Sequence, residues 1–407
     1  MIRYSCREAL TRLPAAKKKF DLMKRLGFAA CVALSLVASC QKVNEEMPLT
    51  EIDDTVEAPV QLGMAAPHID IVSKSEGPID SWTTQKINLI GFDTRFTYSD
   101  IRGYLIDNVA VAAPTGDEDA PFPLRPEGDP YAGKPYFYSE NTRYEFYGYY
   151  VGDDATPEIV KTETGISIPL KINGAQDIIA AKAVPQTDID RSEHPNKSQV
   201  SIGDVYSSYA ARRGVHPSLN FQHLLTRFQF FIVDGNDGRT DDYTKVKITK
   251  ITMDSWENTT LEIAPEPKLI TDKTADRTHL SLAGLEDGIS PATGYISPKE
   301  GEHNGAKTEH SLMLIPGESA ADGTHEIIVG MKFADDDLNN PPIEDMKFTL
   351  NAKQIITTEG RVNPGYFEPG KQYNIVLKVY GPEEIKIDSI LEKWDDVGGT
   401  TIDPDEM

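Results

Sequence analysis

The chain is a succession of short β-rich runs separated by Gly and Pro, and this pattern constrains the fold more than any other feature. The clearest runs cover Ile87–Phe92, Tyr144–Tyr150 and Tyr373–Tyr380. In the last of them apolar side chains take every second position, which is typical of a strand with one face in a core. Further runs that favour strands are 165–170, 178–183, 228–233, 246–253, 325–333 and 346–350. Helical periods are rare, and Gly203–Arg212 is the best short candidate. The sequence therefore predicts an all-β protein built from antiparallel sandwiches.

The strand series starts afresh near Phe221, which predicts two tandem domains. We place the N-terminal sandwich at residues 68–218 and the C-terminal sandwich at residues 219–407, each of ordinary domain size. Residues 41–67 carry acids, Pro and Ala but no aromatic side chain. That composition predicts a flexible linker over residues 40–67.

Residues 23–39 have the layout of a secretory signal. Lys24 and Arg25 precede an apolar run from Leu26 to Ala38, and Cys40 follows the small residues. The run is too short for a membrane-spanning helix, which needs about 20 residues. The pattern predicts a lipoprotein signal peptide with Cys40 as the lipidated first residue of the mature chain. Residues 1–22 precede a better start at Met23, and we expect them to be an over-called start.

Charge and cysteine content exclude several classes of function. Removal of residues 1–39 leaves 33 of the 41 Lys and Arg against 62 of the 64 Asp and Glu, a net charge of −29. Such a surface repels nucleic acid, so protein, glycan or cation partners are favoured. Cys6 and Cys31 lie in the removed leader, so the mature chain has no internal disulfide.

The sequence contains none of the common short motifs for nucleotide binding or catalysis that we sought. It contains no phosphate-binding Gly-x-x-x-x-Gly-Lys-Ser/Thr, no His-Glu-x-x-His and no Gly-x-Ser-x-Gly. The eight histidines are scattered. The acidic group at 117–119 and the one at 335–337 follow no recognisable calcium-loop pattern. We therefore expect a protein that is not an enzyme, with no catalytic residues, no metal site and no cofactor.

An ordered set of segments resembles the fimbrillin family, which comprises type V pilins and their accessory subunits. The segments are the lipobox at Cys40, 69–74, 144–150, 177–181, 219–228, 314–316, 367–375, 379–381, 387–394 and 397–399. The resemblance implies two transthyretin-like sandwich domains and a structural role in a cell-surface fimbria that contributes to adhesion. It also implies attachment to the outer membrane through the lipid. The expected partners are other fimbrial subunits and a host protein or glycan.

The resemblance further implies assembly by donor-strand exchange, in which a subunit loses its first strand and accepts a strand from a neighbour. On this chain the first strand would be Ile69 to Ser73, with Ile69 and Ile71 filling the groove and Lys74 as the candidate processing site. The donor would be the C-terminal tail, whose candidate anchors are Trp394, Val397 and Ile402.

No arginine occurs between Cys40 and Arg95. An arginine-specific maturation protease would find no site there, which favours an anchor or accessory subunit over a processed stalk subunit. The alternatives are a fimbrial tip adhesin and a surface glycan-binding lipoprotein.

The lipobox leads to a direct test. Replacing Cys40 by Ala should release the protein from the membrane fraction, because the acyl chains that hold it there are attached to this residue. Fractionation and intact-mass measurement check the outcome. Unchanged membrane retention of the Cys40→Ala protein, with no acyl mass on the native chain, would contradict the lipoprotein assignment.

Overall fold

The computed structural model describes most of the chain from residue 51 to residue 393. The described residues are 51–67, 85–112, 122–123, 135–152, 158–184, 196, 199–201, 203, 205–236, 246–292, 306–335, 340–357 and 365–393. They contain 22 strands and one short α-helix, α1 (Ser208–Arg212), with 3-10 turns at Ile101–Gly103 and Ala352–Gln354. The all-β class is confirmed, and α1 lies within the predicted helical segment.

The strands fall into five sheets. In the N-terminal half they are β1 (Gln61–Ala65), β2 (Lys86–Asp93), β3 (Tyr104–Ala112), β4 (Phe122–Pro123), β5 (Tyr144–Tyr150), β6 (Val160–Lys161), β7 (Ile166–Lys171), β8 (Ile179–Lys182), β9 (Ser218–Asn220) and β10 (Gln222–His223). In the C-terminal half they are β11 (Thr226–Asp234), β12 (Val246–Ser255), β13 (Asn258–Ala264), β14 (Lys268–Ile270), β15 (Thr278–Ser281), β16 (Ala306–Lys307), β17 (Leu312–Leu314), β18 (Thr324–Phe333), β19 (Met346–Asn351), β20 (Ile356–Thr357), β21 (Lys371–Gly381) and β22 (Glu384–Lys393).

A five-stranded sheet of order β10-β8-β5-β2-β3 forms the centre of the N-terminal half. Its strand β5 is covered on both faces, because Phe146 packs in one apolar cluster while Tyr147 and Tyr149 pack in the other. This explains why the run carries aromatic side chains on both faces rather than alternating between apolar and polar residues. Burial of such a side chain stabilises the fold by roughly 1.5–3 kcal/mol.

The C-terminal half packs a six-stranded sheet against a four-stranded one. The first has the order β16-β11-β21-β22-β20, with β17 also paired to β11, and the second has the order β15-β12-β18-β19. The alternate side chains of β21 predicted to share a face, Tyr373, Ile375, Leu377 and Val379, all enter the common core. Phe228 of β11 stacks on Tyr373 with ring centroids 5.6 Å apart. The predicted sandwich is confirmed here.

One sheet crosses the domain boundary predicted near residue 218. Strands β7 and β13 pair antiparallel, with Ile168 opposite Leu261, in a sheet of order β14-β13-β7-β6. The same core cluster holds Ile168, Leu261 and Tyr147. The sequence regions on the two sides of the predicted boundary are thus joined by backbone pairing, and the count of two domains stays a prediction.

Two features differ from the sequence-based expectations. Three strand pairs are parallel, β1 with β9, β11 with β21 and β20 with β22, whereas the sequence predicts antiparallel pairing. The expected flexible linker over 40–67 is also wrong at its C-terminal end, because residues 61–65 form strand β1 and Leu62 and Met64 are fully buried. The apolar side chains there recur every second residue, which overrides the acidic, Pro-containing composition.

The shared sheet generates a stability prediction. Ile168→Ala should lower the free energy of unfolding by about 2–5 kcal/mol, because it leaves a cavity in a fully buried site. Val160→Ala on the neighbouring strand β6 is the control, since Val160 is 43% exposed, and it should change stability by no more than about 0.5 kcal/mol. Urea unfolding followed by circular dichroism measures both. An equal decrease in the free energy of unfolding for the two variants would contradict the placement of β7 in the core.

Candidate functional site at the first strand

Strand β1 is hydrogen-bonded on both of its edges. It runs parallel to β9, with Met64 opposite Leu219, and antiparallel to β4, with Leu62 opposite Phe122. The Gly63 amide donates to the Pro217 carbonyl at 3.0 Å. Because both of its edges are paired, β1 is an interior strand of its sheet and not an edge strand.

The pairing extends N-terminally beyond β1. The Val60 amide donates to the Tyr136 carbonyl at 2.7 Å, and the Tyr138 amide donates to the Ala58 carbonyl at 3.0 Å. Between them Pro59 forms an isolated bridge with Phe137. Proline is tolerated there because neighbouring residues supply the amides of the ladder. Residues 58–65 therefore behave as one inserted segment.

Alternate side chains of this segment fill an apolar groove. Val60, Leu62 and Met64 are fully buried, and Ala58 and Ala66 flank them with exposures of 2% and 9%. All five belong to one core cluster with side chains of β2, β3, β5, β8 and β9. Three large buried side chains on five consecutive residues give the segment a stabilisation of several kcal/mol, at roughly 1.5–3 kcal/mol each.

An aromatic group lines the groove. The rings of Tyr138 and Phe146 lie edge to face at 6.0 Å, and Phe146 meets Tyr206 at 6.1 Å. Burial raises the pKa of Tyr206 to about 12, so its hydroxyl stays neutral at physiological pH. Phe221 packs directly over Gly148, where an added Cβ would lie 2.5 Å from the ring. The central sheet therefore packs against Phe221 as closely as its backbone allows.

Ionic contacts hold the turn that precedes the segment. The Arg213 guanidinium donates to both carboxylate oxygens of Asp54, at 2.8 and 3.1 Å. Arg212 donates to the Val56 carbonyl at 2.7 Å and also pairs with Glu140. Both arginines lie at the C-terminal end of α1, where cations interact favourably with the helix carbonyls. The hydrogen bond from Arg213 lowers the pKa of Asp54, so this carboxylate is charged at neutral pH.

The site residues predicted from the sequence fall outside the described residues. This holds for Cys40, Ile69, Ile71 and Lys74, and for the tail residues Trp394, Val397 and Ile402. They stay predictions. The groove-filling residues that the structure does describe, Val60, Leu62 and Met64, were not predicted. Their alternation over 58–66 is the signal that could have found them.

The described residues contain neither a cluster of metal-ligating side chains nor a membrane-spanning helix. No three His, Cys, Asp or Glu side chains in this part of the chain approach each other closely enough to hold a metal ion. Within the same residues, no helix has the length and apolar character needed to cross a membrane.

Comparisons with known proteins give a family and several solved structures. A sequence model described as fimbrillin-like matches residues 80–394. A candidate cell adhesion protein from Bacteroides uniformis superposes with a TM-score of 0.46 at 11% identity, over 83% of this chain and 98% of that chain. One from Bacteroides ovatus gives 0.47 at 12% identity, over 83% and 98%. The C-terminally truncated tip fimbrial protein Mfa3 from Porphyromonas gingivalis gives 0.34 at 8%, over 76% and 94%. The search of curated proteins gives no match.

The buried alternate side chains of the inserted segment should contribute strongly to the stability of the fold. Leu62→Ala should lower the free energy of unfolding by about 2–5 kcal/mol, since Leu62 is fully buried. Val56→Ala, in the turn just before the segment, is the matched control, because Val56 is 56% exposed. Chemical denaturation of the two variants measures the difference. A Leu62→Ala variant as stable as Val56→Ala would show that the segment does not complete the core.

Proposed function

The chain belongs to the fimbrillin-like family, and on that premise we propose that it is a fimbrial subunit that joins its neighbours by exchange of strand β1. Membership in this family supports a fimbrial or adhesion subunit at the cell surface. The exchange, and the role within the fimbria, are our proposal. The observation that carries it is the insertion of residues 58–65 between two backbone partners, with a row of apolar side chains in a groove.

Insertion of this kind makes a strand replaceable. The main chain of the segment supplies ladder hydrogen bonds that any strand offers, and the side chains at alternate positions supply the specificity. A strand from another subunit with similar alternate side chains would meet the same carbonyls, amides and pockets. In this proposal β1 takes the role of first strand that the sequence assigns to Ile69–Ser73.

The connection that follows β1 contains one candidate processing site. Lys74 is the only Lys or Arg between Pro67 and Gln85. Hydrolysis after Lys74 would leave β1 held by non-covalent contacts alone. Since residues 41–94 contain no arginine, an arginine-specific protease would leave the strand and the Cys40 lipid in place. We therefore propose an anchor or accessory subunit, which the Cys40 lipid attaches to the outer membrane until cleavage after Lys74 releases β1 for exchange.

The C-terminal tail is the proposed donor to a neighbouring subunit. Strand β22 ends at Lys393, and Trp394 follows at once. The tail thus starts from a strand that pairs with β21 along its whole length, which gives it a rigid point of departure.

One observation weighs against a glycan-binding platform built on tryptophan. Trp256 is 3% exposed, and Lys273 and Arg277 lie over its ring at 3.9 and 4.1 Å. Stacking of a sugar requires an open aromatic face, which this ring does not offer.

A peptide-exchange experiment tests the proposal. A specific protease recognition sequence is inserted after Ser75 in the full chain, the purified protein is cut, and a labelled peptide of residues 50–67 is added. We expect the labelled peptide to replace the cut fragment, because both present the same apolar row. Native mass spectrometry follows the exchange.

The same peptide with Leu62→Asp is the control, and it should fail to enter, because it would bury an unpaired charge. Exchange that does not occur with the native peptide, even at denaturant concentrations just below unfolding, would contradict strand exchange. Equal entry of both peptides would contradict the groove as the binding site.

A further inference from the structure

Two buried arginines stand where the inserted segment enters the groove. The side chains of Arg212 and Arg213 are 8% and 7% exposed, whereas the partner carboxylates of Asp54 and Glu140 are 52% and 60% exposed. A guanidinium removed from water needs a charged or polar partner, since its desolvation is costly otherwise. The groove therefore presents fixed positive charge beside its apolar pockets.

The contacts of Arg213 divide into those with residues 199 and 209, close to it in the chain, and those with the turn before the inserted segment. Its own surroundings supply the Tyr209 carbonyl at 3.1 Å, the Gln199 Oε1 atom at 3.0 Å and the Tyr209 ring at 3.5 Å. The turn that leads into the segment, and leaves with it, supplies the Asp54 carboxylate. Because the first set stays when the segment leaves, the guanidinium keeps its orientation and offers its remaining donors to an incoming carboxylate.

The backbone before α1 fixes this orientation. Tyr206 adopts a left-handed conformation with φ of 60°, uncommon for an aromatic residue. Its ring is anchored in the groove, and its carbonyl accepts from the Tyr144 amide at 3.1 Å. Ser207 then caps α1 by accepting from the Ala210 amide at 3.3 Å. The groove floor and the two arginines are thus parts of one rigid unit.

From this geometry we infer that Arg212 and Arg213 select and hold the strand in the groove by binding a carboxylate that precedes it. We call this pair of arginines the latch. The inference rests on the proposed strand exchange. The latch holds the chain's own first strand through Asp54 and the Val56 carbonyl. Its partner after processing is a strand from another subunit with the same chemistry: a carboxylate about six residues before a row of alternating apolar side chains.

The C-terminal tail of this chain does not have that chemistry. One face of an extended tail would carry Trp394, Asp396, Gly398, Thr400 and Ile402, and the other would carry Asp395, Val397, Gly399, Thr401 and Asp403. Either face puts a carboxylate or a small residue where β1 has Val60, Leu62 and Met64. The groove therefore excludes the tail of a second copy, and the subunit forms contacts with unlike neighbours instead of polymerising with itself.

The latch is tested with the cut full-length protein described above. The measured quantity is the rate at which the labelled N-terminal fragment dissociates, at low and high NaCl. Asp54→Asn and Arg213→Gln should each speed dissociation by about threefold to tenfold, and together they should have no more effect than one alone. High salt should speed the native fragment more than either variant. Arg102→Ala is the control, because Arg102 forms an exposed ion pair with Asp100 on the β2–β3 connection, away from the groove.

Two outcomes overturn the latch: dissociation rates that Asp54→Asn leaves unchanged, or additive effects of the two substitutions. Competition by a peptide of residues 394–407 equal to that of residues 50–67 overturns the exclusion of the tail. If no fragment dissociates from any variant, strand exchange fails. The latch is then judged in the uncut chain, where a double-mutant cycle on unfolding must show coupling between Asp54 and Arg213.

Discussion

The hydrogen bonds on both edges of β1, together with its row of buried side chains, are the interaction on which the rest of the N-terminal half depends. Without the segment, the 136–138 backbone and β9 would lose their ladder partners, and the aromatic groove would face water. Unpaired backbone groups and exposed apolar surface are both costly. The groove must therefore be filled by some strand. This requirement links the stability of the fold to its proposed role in assembly.

A replaceable strand needs both affinity and selectivity, and the structure separates them. Backbone pairing supplies affinity that any strand could match, and the apolar pockets select strands with apolar side chains at alternate positions. The two arginines beside the entrance add a charge requirement, and Glu140 balances part of their charge. On a strongly acidic protein, two buried cations at the mouth of an apolar groove are a local reversal of the overall charge. Such a reversal draws an acidic segment toward this point at close range.

Much of the fold could be predicted from the sequence, because the signal was local. The aromatic run of β5 and the alternation of β21 both became strands with the expected buried faces. Strand β1 was missed, although its alternate apolar residues carry the same signal. Pro59, Gly63 and the acidic residues upstream give the segment the composition of a tether, which masks the period of its apolar side chains.

Contacts between residues far apart in the chain could not be predicted from the sequence. The parallel pairing of β11 with β21 and the pairing of β7 with β13 join segments far apart in the chain, and no local pattern specifies them. Arg213 and Asp54 are 159 residues apart. Their roles become visible only after the fold brings them together, which is why the candidate site could be predicted in kind but not in position.

The most direct test of the account is hydrogen–deuterium exchange at the amides of Gly63 and Phe221, which bond to the Pro217 and Ala65 carbonyls respectively. In the intact chain both amides should be strongly protected. After cleavage in the connection and loss of the N-terminal fragment, Phe221 should exchange fast while the β5 amides stay protected. Fast exchange at Gly63 in the intact chain, or unchanged protection of Phe221 after the fragment has left, would contradict the account.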